Sequence, residues 1–504
     1  MTARRVSVGE PLVLGVDLGT GSVKGVAATG DGAVVATATR TQRVSIPRPS
    51  HVEMDPREWW SATVAVLRDL AQASDPGVIC GLCVSGLGPC LVLCDAQDRP
   101  TRPAILYGID MRAEAEIIEL TDRYGADRIR RRTGKALSSQ AIGPKLLWVA
   151  RHEPDVWSRS RRWHSAHSYI LARLTGEYVL DHHTASQNDP LYDLTTNQWY
   201  EPWLEELTAG LDRPRLAWPG ETVGRVTASA AAESGVPAGT PMCAGTVDAW
   251  AESVSAGVRA PGDLMLMYGS TMFFVQVARD AAPQHGLWKT AGVWPSSYTL
   301  AAGMSSSGLL ADWVRDLTGG TTYDRLVREA AAVPAGADGL VLLPYFAGER
   351  TPIFDPKARG VIVGLTLRHR RGHLLRAAYE GIAYGVRQIL DVFDATGEPP
   401  RRIVAVGGGT QGGLWTQIVT DVTGRPQIIP AQTIGASYGG ALLAARAAEL
   451  TTHFDWSTVA RELTPDPAVH QTYEETFAGY RALYPLLRNE MHRLAALGER
   501  ASTP

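Results

Sequence analysis

The stretch VLGVDLGTGSVKGV, residues 13–26, limits what this chain can fold into more than any other part of the sequence. It reads as two apolar strands joined by a tight turn of glycines and hydroxyl residues, and the first strand ends on a carboxylate, Asp17. A charge at the end of a buried strand is costly unless it is paired or bound to a metal ion. Asp17 is therefore a candidate functional residue, and a hairpin merely capped by an aspartate is the alternative.

The turn after Asp17 is suited to holding phosphate groups, because glycines let backbone N–H groups approach an anion and hydroxyls add further donors. Asp17 itself could hold Mg²⁺, directly or through water. A P-loop needs G-x4-G-K-[ST] opening a helix, and a strand follows here instead, so that motif is absent. The candidate phosphate-binding residues are Gly19, Thr20, Gly21, Ser22 and Lys24.

The order of elements predicts two similarly built α/β domains. Residues 12–29 and 33–40 read as three successive strands, followed by a helix with Asp55 as N-cap and Pro56 at its first position. After a mostly helical section the pattern restarts, since GDLMLMYGSTMFFVQVAR again reads as two strands around a Gly-Ser-Thr turn. With 504 residues the chain is too long for one core, and we expect the two turns to face one cleft.

Composition excludes several classes of protein. The net charge of −3 does not favour nucleic acid or an anionic membrane surface as a partner, and no apolar run reaches the roughly 20 residues needed to cross a bilayer. A cytoplasmic location is expected. Four of the five cysteines lie close together, but Cys80 and Cys83 are three residues apart in a strand and should point to opposite faces. Buried apolar cysteines are therefore favoured over a zinc site.

Two further segments carry candidate residues. Asp248 in AGTVDAW lies between a strand and a helix, where the helix N-terminus favours its ionised form and makes it a candidate proton acceptor. An ordinary N-cap is the alternative. VAVGGGTQGGLW contains G-x-G-x-x-G at Gly407, Gly409 and Gly412, but no acid follows about 20 residues later to bind a nicotinamide ribose. A glycine-rich floor for a mononucleotide and a plain tight turn both remain open.

Together these segments resemble the FGGY family of carbohydrate kinases, nearest to its xylulokinase-like branch, over essentially the whole chain. The residues that carry the likeness are DLGTGSVKG, PKLLWVARHEP at 144–154, PYFAGERTP and GVIVGLTLRHRRGHLLRAAYE at 360–380. The resemblance implies duplicated actin/hexokinase-type (ribonuclease H-like) domains with mixed sheets flanked by helices. It assigns 1–254 to the sugar and the first phosphate motif and 255–504 to the nucleotide. ATP, Mg²⁺, a small carbohydrate substrate and a homodimer are also implied.

The resemblance further implies the roles of individual residues. Asp248 would be the general base that takes a proton from the attacking hydroxyl, and Asp17 would act on the metal and the phosphates. A second phosphate clamp would be formed by Gly269, Ser270 and Thr271. The adenosine would be lined by Gly408, Gly409 and Thr410. The substrate would contact Gly88, Pro89, Tyr107, Asp110, Arg112 and Asp248.

One segment departs from the family pattern. SGLGPC, residues 85–90, stands where xylulokinases have S-G-Q-M-H-G, so Gly88 and Pro89 replace a Met and a His that face the sugar. These smaller residues suggest a larger or differently placed substrate. The expected activity is phosphorylation of a ketopentose such as xylulose. Another keto-sugar, a polyol, a sugar acid, or an inactive nucleotide-binding regulator on the same fold are the alternatives.

Overall fold

The computed structural model of the protein describes residues 7–75, 77–280, 286–432 and 434–501. These residues form two compact units. The first comprises the described residues within Met1–Arg259, Lys289–Thr299 and Ile434–Ser457, and the second those within Ala260–Trp288, Leu300–Thr433 and Thr458–Pro504. Two segments from the second half of the chain thus belong to the first unit.

The strands are β1 (Pro11–Leu18), β2 (Ser22–Thr29), β3 (Val34–Thr41), β4 (Ser45–Arg48), β5 (His51–Met54), β6 (Val78–Gly86), β7 (Val92–Cys94), β8 (Ala104–Ile105), β9 (Arg162–His164), β10 (Val179–Asp181), β11 (Tyr192–Asp193), β12 (Gln198–Trp199), β13 (Arg215–Ala217), β14 (Thr222–Arg225), β15 (Pro241–Cys243), β16 (Thr246–Val247), β17 (Asp263–Tyr268), β18 (Met272–Ala278), β19 (Trp288–Ala291), β20 (Tyr298–Met304), β21 (Val341–Leu343), β22 (Val361–Val363), β23 (Arg402–Val406), β24 (Gln427–Pro430) and β25 (Val459–Leu463).

The helices are α1 (Pro56–Ser74), α2 (Glu114–Tyr124), α3 (Ala126–Thr133), α4 (Ile142–His152), α5 (Pro154–Arg159), α6 (Ala166–Thr175), α7 (His182–Ala185), α8 (Glu201–Leu207), α9 (Ala228–Ser234), α10 (Asp248–Ser255), α11 (Gly308–Leu317), α12 (Tyr323–Ala331), α13 (Arg371–Asp394), α14 (Leu414–Thr423), α15 (Ala436–Ala447) and α16 (His470–Ala501).

The main sheet of the first unit places the carboxyl ends of β1, β6 and β16 at one edge. Its neighbours run in the order β14, β15, β6, β1, β2 and β3, with β16 also paired to β6. Because β1 and β16 both run parallel to β6, with Asp17 and Thr246 each opposite Ser85, their carboxyl ends lie side by side. The sheet therefore brings Asp17 and the residue after β16, Asp248, to the same edge.

The helix α1 begins as the sequence predicts. Asp55 is its N-cap and accepts a hydrogen bond from the Arg57 N–H at 2.9 Å, and Pro56 occupies the first turn. Its buried face carries Trp59 and Leu67, which lie in the hydrophobic core with the apolar residues of the sheet. The predicted strands at 12–29 and 33–40 are likewise confirmed by β1, β2 and β3.

Helix α15 approaches the first sheet unusually closely, because glycines stand at the points of contact. A Cβ atom at Gly15 on β1 would lie 1.9 Å from the Ser437 carbonyl oxygen. A Cβ atom at Gly439 would lie 1.8 Å from the Ala251 carbonyl oxygen on α10. Contacts this short exclude any side chain, so α15 lies backbone to backbone against both β1 and α10.

The second unit repeats the central arrangement of the first. Its sheet has β20, β18, β17, β23, β24 and β25 as neighbours in that order. Strands β17 and β18 form an antiparallel hairpin with Tyr268 opposite Met272, and β23 runs parallel to β17. The hairpin β1–β2 beside parallel β6 has the same design, which confirms the internal similarity predicted from the two glycine-hydroxyl turns. Helix α13 forms much of the core of this unit.

The cysteines behave as small apolar residues in the first unit. Cys90 and Cys94 belong to its hydrophobic core, Cys83 is buried, Cys80 is half-buried, and none forms a disulfide. Among the described residues, no helix has both the length and the hydrophobicity required to cross a bilayer.

Candidate active site

Asp17 stands at the end of β1, beside the glycine turn. Its Oδ1 accepts a hydrogen bond from the Ser85 hydroxyl at 3.0 Å, and Lys24 lies opposite on β2. Burial raises the pKa of Asp17 to about 6, against the opposing effects of that hydrogen bond and of the Lys24 charge. The protein thus holds this carboxylate where its charge is disfavoured, and a bound cation would relieve that cost.

The turn after Asp17 lies at the surface of the first unit. It is closed by a hydrogen bond of 2.9 Å from the Gly19 N–H to the Ser22 carbonyl oxygen. Gly19, Thr20 and Ser22 are half-buried, and Gly21 is exposed, with no heavy atom within 4 Å of the place that a Cβ would take. The candidate phosphate-binding residues of this turn are therefore within reach of a ligand.

Asp248 is the first residue of α10 and directly follows β16, as the sequence predicts. Its Oδ1 accepts a hydrogen bond from the Ala249 N–H at 2.7 Å. Burial and the charge of Asp17 nevertheless raise the pKa of Asp248 well above its ordinary value. These two effects oppose the ionised form that the helix N-terminus favours, and the role of Asp248 as a proton acceptor stays a prediction.

A third carboxylate, Glu252, belongs to the same cluster and was not singled out from the sequence. Burial and the charge of Asp17 raise the pKa of Glu252 to about 7, against the opposing charge of Lys24. Glu252 lies four residues after Asp248 on α10, so both side chains project from one face of the helix. That spacing in DAWAE was the available signal. Across the described parts of the chain, no group of three or more His, Cys, Asp and Glu side chains is arranged to hold a metal ion.

Gly88 and its neighbour Pro89 lie in a closely packed part of the first unit. They are joined by a cis peptide bond. A Cβ atom at Gly88 would lie 3.1 Å from Val247 Cγ2 and 3.3 Å from Ser165 Oγ, which is too close for a comfortable contact. Neighbouring side chains thus approach Gly88 closely, and the expectation of a larger or differently placed substrate stays a prediction. Val247 directly precedes Asp248, which places Gly88 near the carboxylate cluster.

Asp110 and Arg112, expected to contact substrate, form a closed ion pair in this structure. The Arg112 guanidinium donates to both Asp110 oxygens at 2.7–3.1 Å. Its Nη1 also forms an ion pair with Glu53 Oε1 at 2.8 Å. Asp110 also accepts the Val52 N–H at 2.6 Å. The two side chains are 0% and 1% exposed. Their hydrogen bonds are directed at the protein, so this geometry supports a role in positioning the segment around residue 110.

Replacing Arg112 with Gln should destabilise the protein by about 3–5 kcal/mol, because Asp110 and Glu53 would be left buried without their cation. Arg40→Gln is the matched control, since the Arg40–Asp69 pair is about half exposed and worth at most about 1 kcal/mol. Thermal unfolding of both variants measures the difference. An Arg112 variant as stable as the Arg40 variant, with a raised KM for the sugar, would instead indicate direct substrate contact.

Tyr107 lies in the same segment, which a buried lysine holds in place. Lys145 of α4 is 1% exposed, and its Nζ donates to the Leu106 carbonyl at 2.6 Å and the Tyr107 carbonyl at 3.1 Å. Burial lowers the pKa of Lys145 to about 8. Tyr107 itself is half-buried, whereas Asp110 and Arg112 are buried. Lys145 lies in the segment PKLLW, where sequence alone offered no role for it.

The second unit contains a separate cavity of about 1030 Å³. Four glycine and serine residues predicted to bind nucleotide line it: Gly269, Ser270, Gly408 and Gly409. Thr271 and Thr410 are not among its lining residues. Thr410 is buried, and its hydroxyl donates to the Gly407 carbonyl at 2.8 Å, which gives it a structural role in the turn.

Tight backbone packing and aromatic rings form the walls of this cavity. Gly407 has φ +93°, and a Cβ there would lie 2.7 Å from the Tyr268 carbonyl oxygen, so only glycine fits. Trp415 stacks on Tyr379 with ring centroids 5.3 Å apart. Residues on α11 and α12 that sequence reasoning did not identify complete the lining, namely Gly308, Ala311, Asp312, Tyr323, Asp324, Val327 and Arg328.

Family models match both halves of the chain. The N-terminal domain of the FGGY family of carbohydrate kinases matches residues 12–255, and the C-terminal domain of that family matches residues 264–448. The protein belongs to the FGGY family. It is accordingly an ATP-dependent sugar kinase with the duplicated actin/hexokinase-type fold, as the resemblance implies.

Individual members of the family match this FGGY kinase over nearly its full length. The xylulose kinase of Escherichia coli K12 is 30% identical over 94% of this chain and 96% of its own. The xylulose kinase of Streptomyces coelicolor is 34% identical over 90% of each chain. Among solved structures, the xylulose kinase of Rhodospirillum rubrum has a TM-score of 0.89 at 32% identity, covering 95% of this chain and 100% of its own.

Proposed function

We propose that this kinase transfers the γ-phosphoryl group of ATP to a hydroxyl of a ketopentose, xylulose in particular. The carboxylates of Asp17 and Asp248 at one edge of one sheet carry the proposal for the chemistry. Support for the ketopentose comes from the curated relatives, which include the xylulose kinases of E. coli and S. coelicolor.

The carboxylate cluster suits a Mg²⁺–nucleotide complex. Burial raises the pKa values of Asp17, Asp248 and Glu252, and the charge of Asp17 raises those of Asp248 and Glu252 further. Oxygen ligands of this kind are those that Mg²⁺ prefers, and we assign Asp17 as its ligand, directly or through water. When bound, Mg²⁺ supplies positive charge to the transferring phosphoryl group.

Asp248 would act as the general base. The charge of Asp17 is one cause of the raised pKa of Asp248, so offsetting that charge lowers the pKa and lets Asp248 accept a proton. The substrate hydroxyl passes its proton to Asp248 as its oxygen forms a bond to the γ-phosphorus, and ADP leaves. The turn from Gly19 to Ser22, with Lys24, would hold the phosphates.

The nucleotide would lie in the cavity of the second unit, with Gly408 and Gly409 against the adenosine and Gly269 and Ser270 against the phosphates. This assigns sugar and first phosphate contacts to residues 1–254 and nucleotide contacts to 255–504. We further propose a cytoplasmic homodimer, for which light scattering coupled to size-exclusion chromatography is the test.

A screen of ADP release across pentuloses, hexuloses, polyols and aldonates tests the proposed substrate. Xylulose should give the largest kcat/KM. A larger value for gluconate would reassign the kinase to sugar acids, a class that the 24% identical gluconokinase of Bacillus subtilis makes worth including. Absence of ADP release with every compound would favour a nucleotide-binding regulator.

Enlarging Gly408 should weaken ATP binding without affecting stability. A Cβ atom at Gly408 would meet no heavy atom within 4 Å, and the residue lines the cavity. Gly408→Val should raise the KM for ATP by about tenfold or more, since it occupies space meant for the nucleotide, and Gly408→Ala should have a smaller effect. The KM for the sugar and the unfolding temperature serve as controls. An unchanged KM for ATP in both variants would place the nucleotide elsewhere.

A further inference from the structure

Asp181 is a fully buried carboxylate that the proposed reaction does not use. It ends β10 and is 1% exposed. Its Oδ1 accepts the Thr184 N–H and the Thr246 hydroxyl, each at 3.0 Å, and its Oδ2 accepts the His167 Nε2–H at 2.9 Å. Burial alone would raise the pKa of Asp181, but the hydrogen bond and charge of His167 leave it below the ordinary value. Asp181 is thus a satisfied anion that can hold its partners firmly.

One of those partners, Thr246, stands two residues before Asp248. Thr246 is completely buried and forms β16 with Val247. On one side β16 pairs with β6, where Thr246 lies opposite Ser85, the residue that donates to Asp17. On the other side, the Thr246 hydroxyl is held by Asp181. Strand β16 is therefore held on one side by β6, whose Ser85 donates to Asp17, and on the other side by the buried Asp181 carboxylate.

The orientation of Asp248 depends on this strand. The protein donates a hydrogen bond to the Asp248 carboxylate from the adjacent Ala249 N–H, so the direction of the side chain follows the local backbone. Gly245, just before β16, has φ +74°, and a Cβ there would lie 1.9 Å from the Val84 carbonyl oxygen. The conformation and close packing of Gly245 thus restrict the backbone that enters β16. The hydrogen bond from Thr246 to Asp181 then holds β16 itself in place.

We propose that Asp181 is a positioning residue for Asp248 and acts through the Thr246 hydroxyl. The inference rests on the role proposed above for Asp248. Positioning errors of about 1 Å can cost on the order of 100-fold in rate, so loss of one of the two supports of β16 should be measurable in turnover.

The test compares three buried threonine substitutions. Thr246→Val keeps the shape of the side chain and removes the hydrogen bond, and Thr246→Ser keeps the hydroxyl. Thr63→Val is the matched control, because Thr63 is fully buried in α1 and its hydroxyl has no partner among the described residues. We expect Thr246→Val to lower kcat about tenfold, with the KM values for ATP and sugar within twofold of wild type. Thr246→Ser and Thr63→Val should keep wild-type kcat.

Other results would overturn the proposal. A kcat for Thr246→Val equal to that of Thr63→Val would show that the bond to Asp181 does not matter for turnover. A rise in KM at unchanged kcat would place Thr246 in substrate binding. If Thr246→Val does not yield folded protein, Thr246→Ala, which also removes the hydroxyl, takes its place with the same expectation and the same contrary outcomes. Asp248→Asn separates the positioning role of Asp181 from the proposed base role of Asp248. An inactive Asp248 variant beside a Thr246 variant of normal activity refutes only the positioning role. An active Asp248 variant refutes the proposed base.

Discussion

Replacing Asp248 with Asn should lower kcat by about 10²–10⁴-fold and leave the fold and nucleotide binding intact. Asn has the same shape, and its side-chain oxygen can still accept the Ala249 N–H, so α10 should form normally. It cannot accept the proton of a substrate hydroxyl. The variant also removes a carboxyl group whose ionised form is disfavoured by burial and by the charge of Asp17, so its stability should equal or exceed that of the wild type.

The measurements are steady-state ADP release, nucleotide titration and thermal unfolding. Asp69→Asn is the control, because Asp69 pairs with Arg40 in the same unit and about half of both side chains is exposed. That variant should keep full activity. Wild-type turnover in the Asp248 variant would remove the residue from the base role, whatever the result for nucleotide binding.

Gly439→Ala should destabilise the protein by about 3 kcal/mol or more, the upper end of the range for overpacking. The new Cβ would lie 1.8 Å from the Ala251 carbonyl oxygen, and the obstacle is backbone, which cannot rotate away. Helix α15 would have to move off α10, the helix that begins with Asp248. We therefore expect a large fall in unfolding temperature and, in any folded fraction, a fall in kcat.

The next residue provides the control. A Cβ atom at Gly440 would meet the Cys83 carbonyl oxygen at 3.5 Å, an ordinary contact. Because alanine favours a helix over glycine by about 1 kcal/mol, Gly440→Ala should be neutral or stabilising. Of two adjacent and chemically identical substitutions, only Gly439→Ala should thus lower the unfolding temperature. Equal effects would mean that α15 does not lie against α10 as described.

The sequence predicted those parts of the fold that local signals determine. The hairpin around Asp17, the capped start of α1 and the second hairpin at Tyr268 each depend on residues within about ten positions of one another, and each is confirmed. Family motifs then supplied the fold class and the kinase activity.

The surroundings of the candidate residues depend on distant segments, which local patterns do not include. The ionisation of Asp248 depends on Asp17, more than 200 residues away, and a reading of the helix N-terminus alone could not include that charge. The family resemblance assigned Arg112 to the substrate, and the ion pair of Arg112 with Glu53 depends on strand β5, which local patterns around residue 112 do not include. A Cβ atom at Gly88 would lie close to Val247 of β16, a contact that the sequence around residue 88 does not reveal. Local patterns predict the helices, strands and candidate residues, and tertiary packing decides which groups surround each side chain.

The attachment of α15 to β1 bears on how the chain folds during synthesis. Residues up to 259 leave the ribosome with the sheet of the first unit lacking the helix that covers Gly15 and Gly81. About 180 further residues must be translated before α15 can dock, and at typical rates of 5–20 residues per second this takes on the order of ten seconds or more. During that interval the nascent first unit presents an uncovered apolar face, which makes it a natural client for chaperones and makes an isolated N-terminal fragment prone to aggregate.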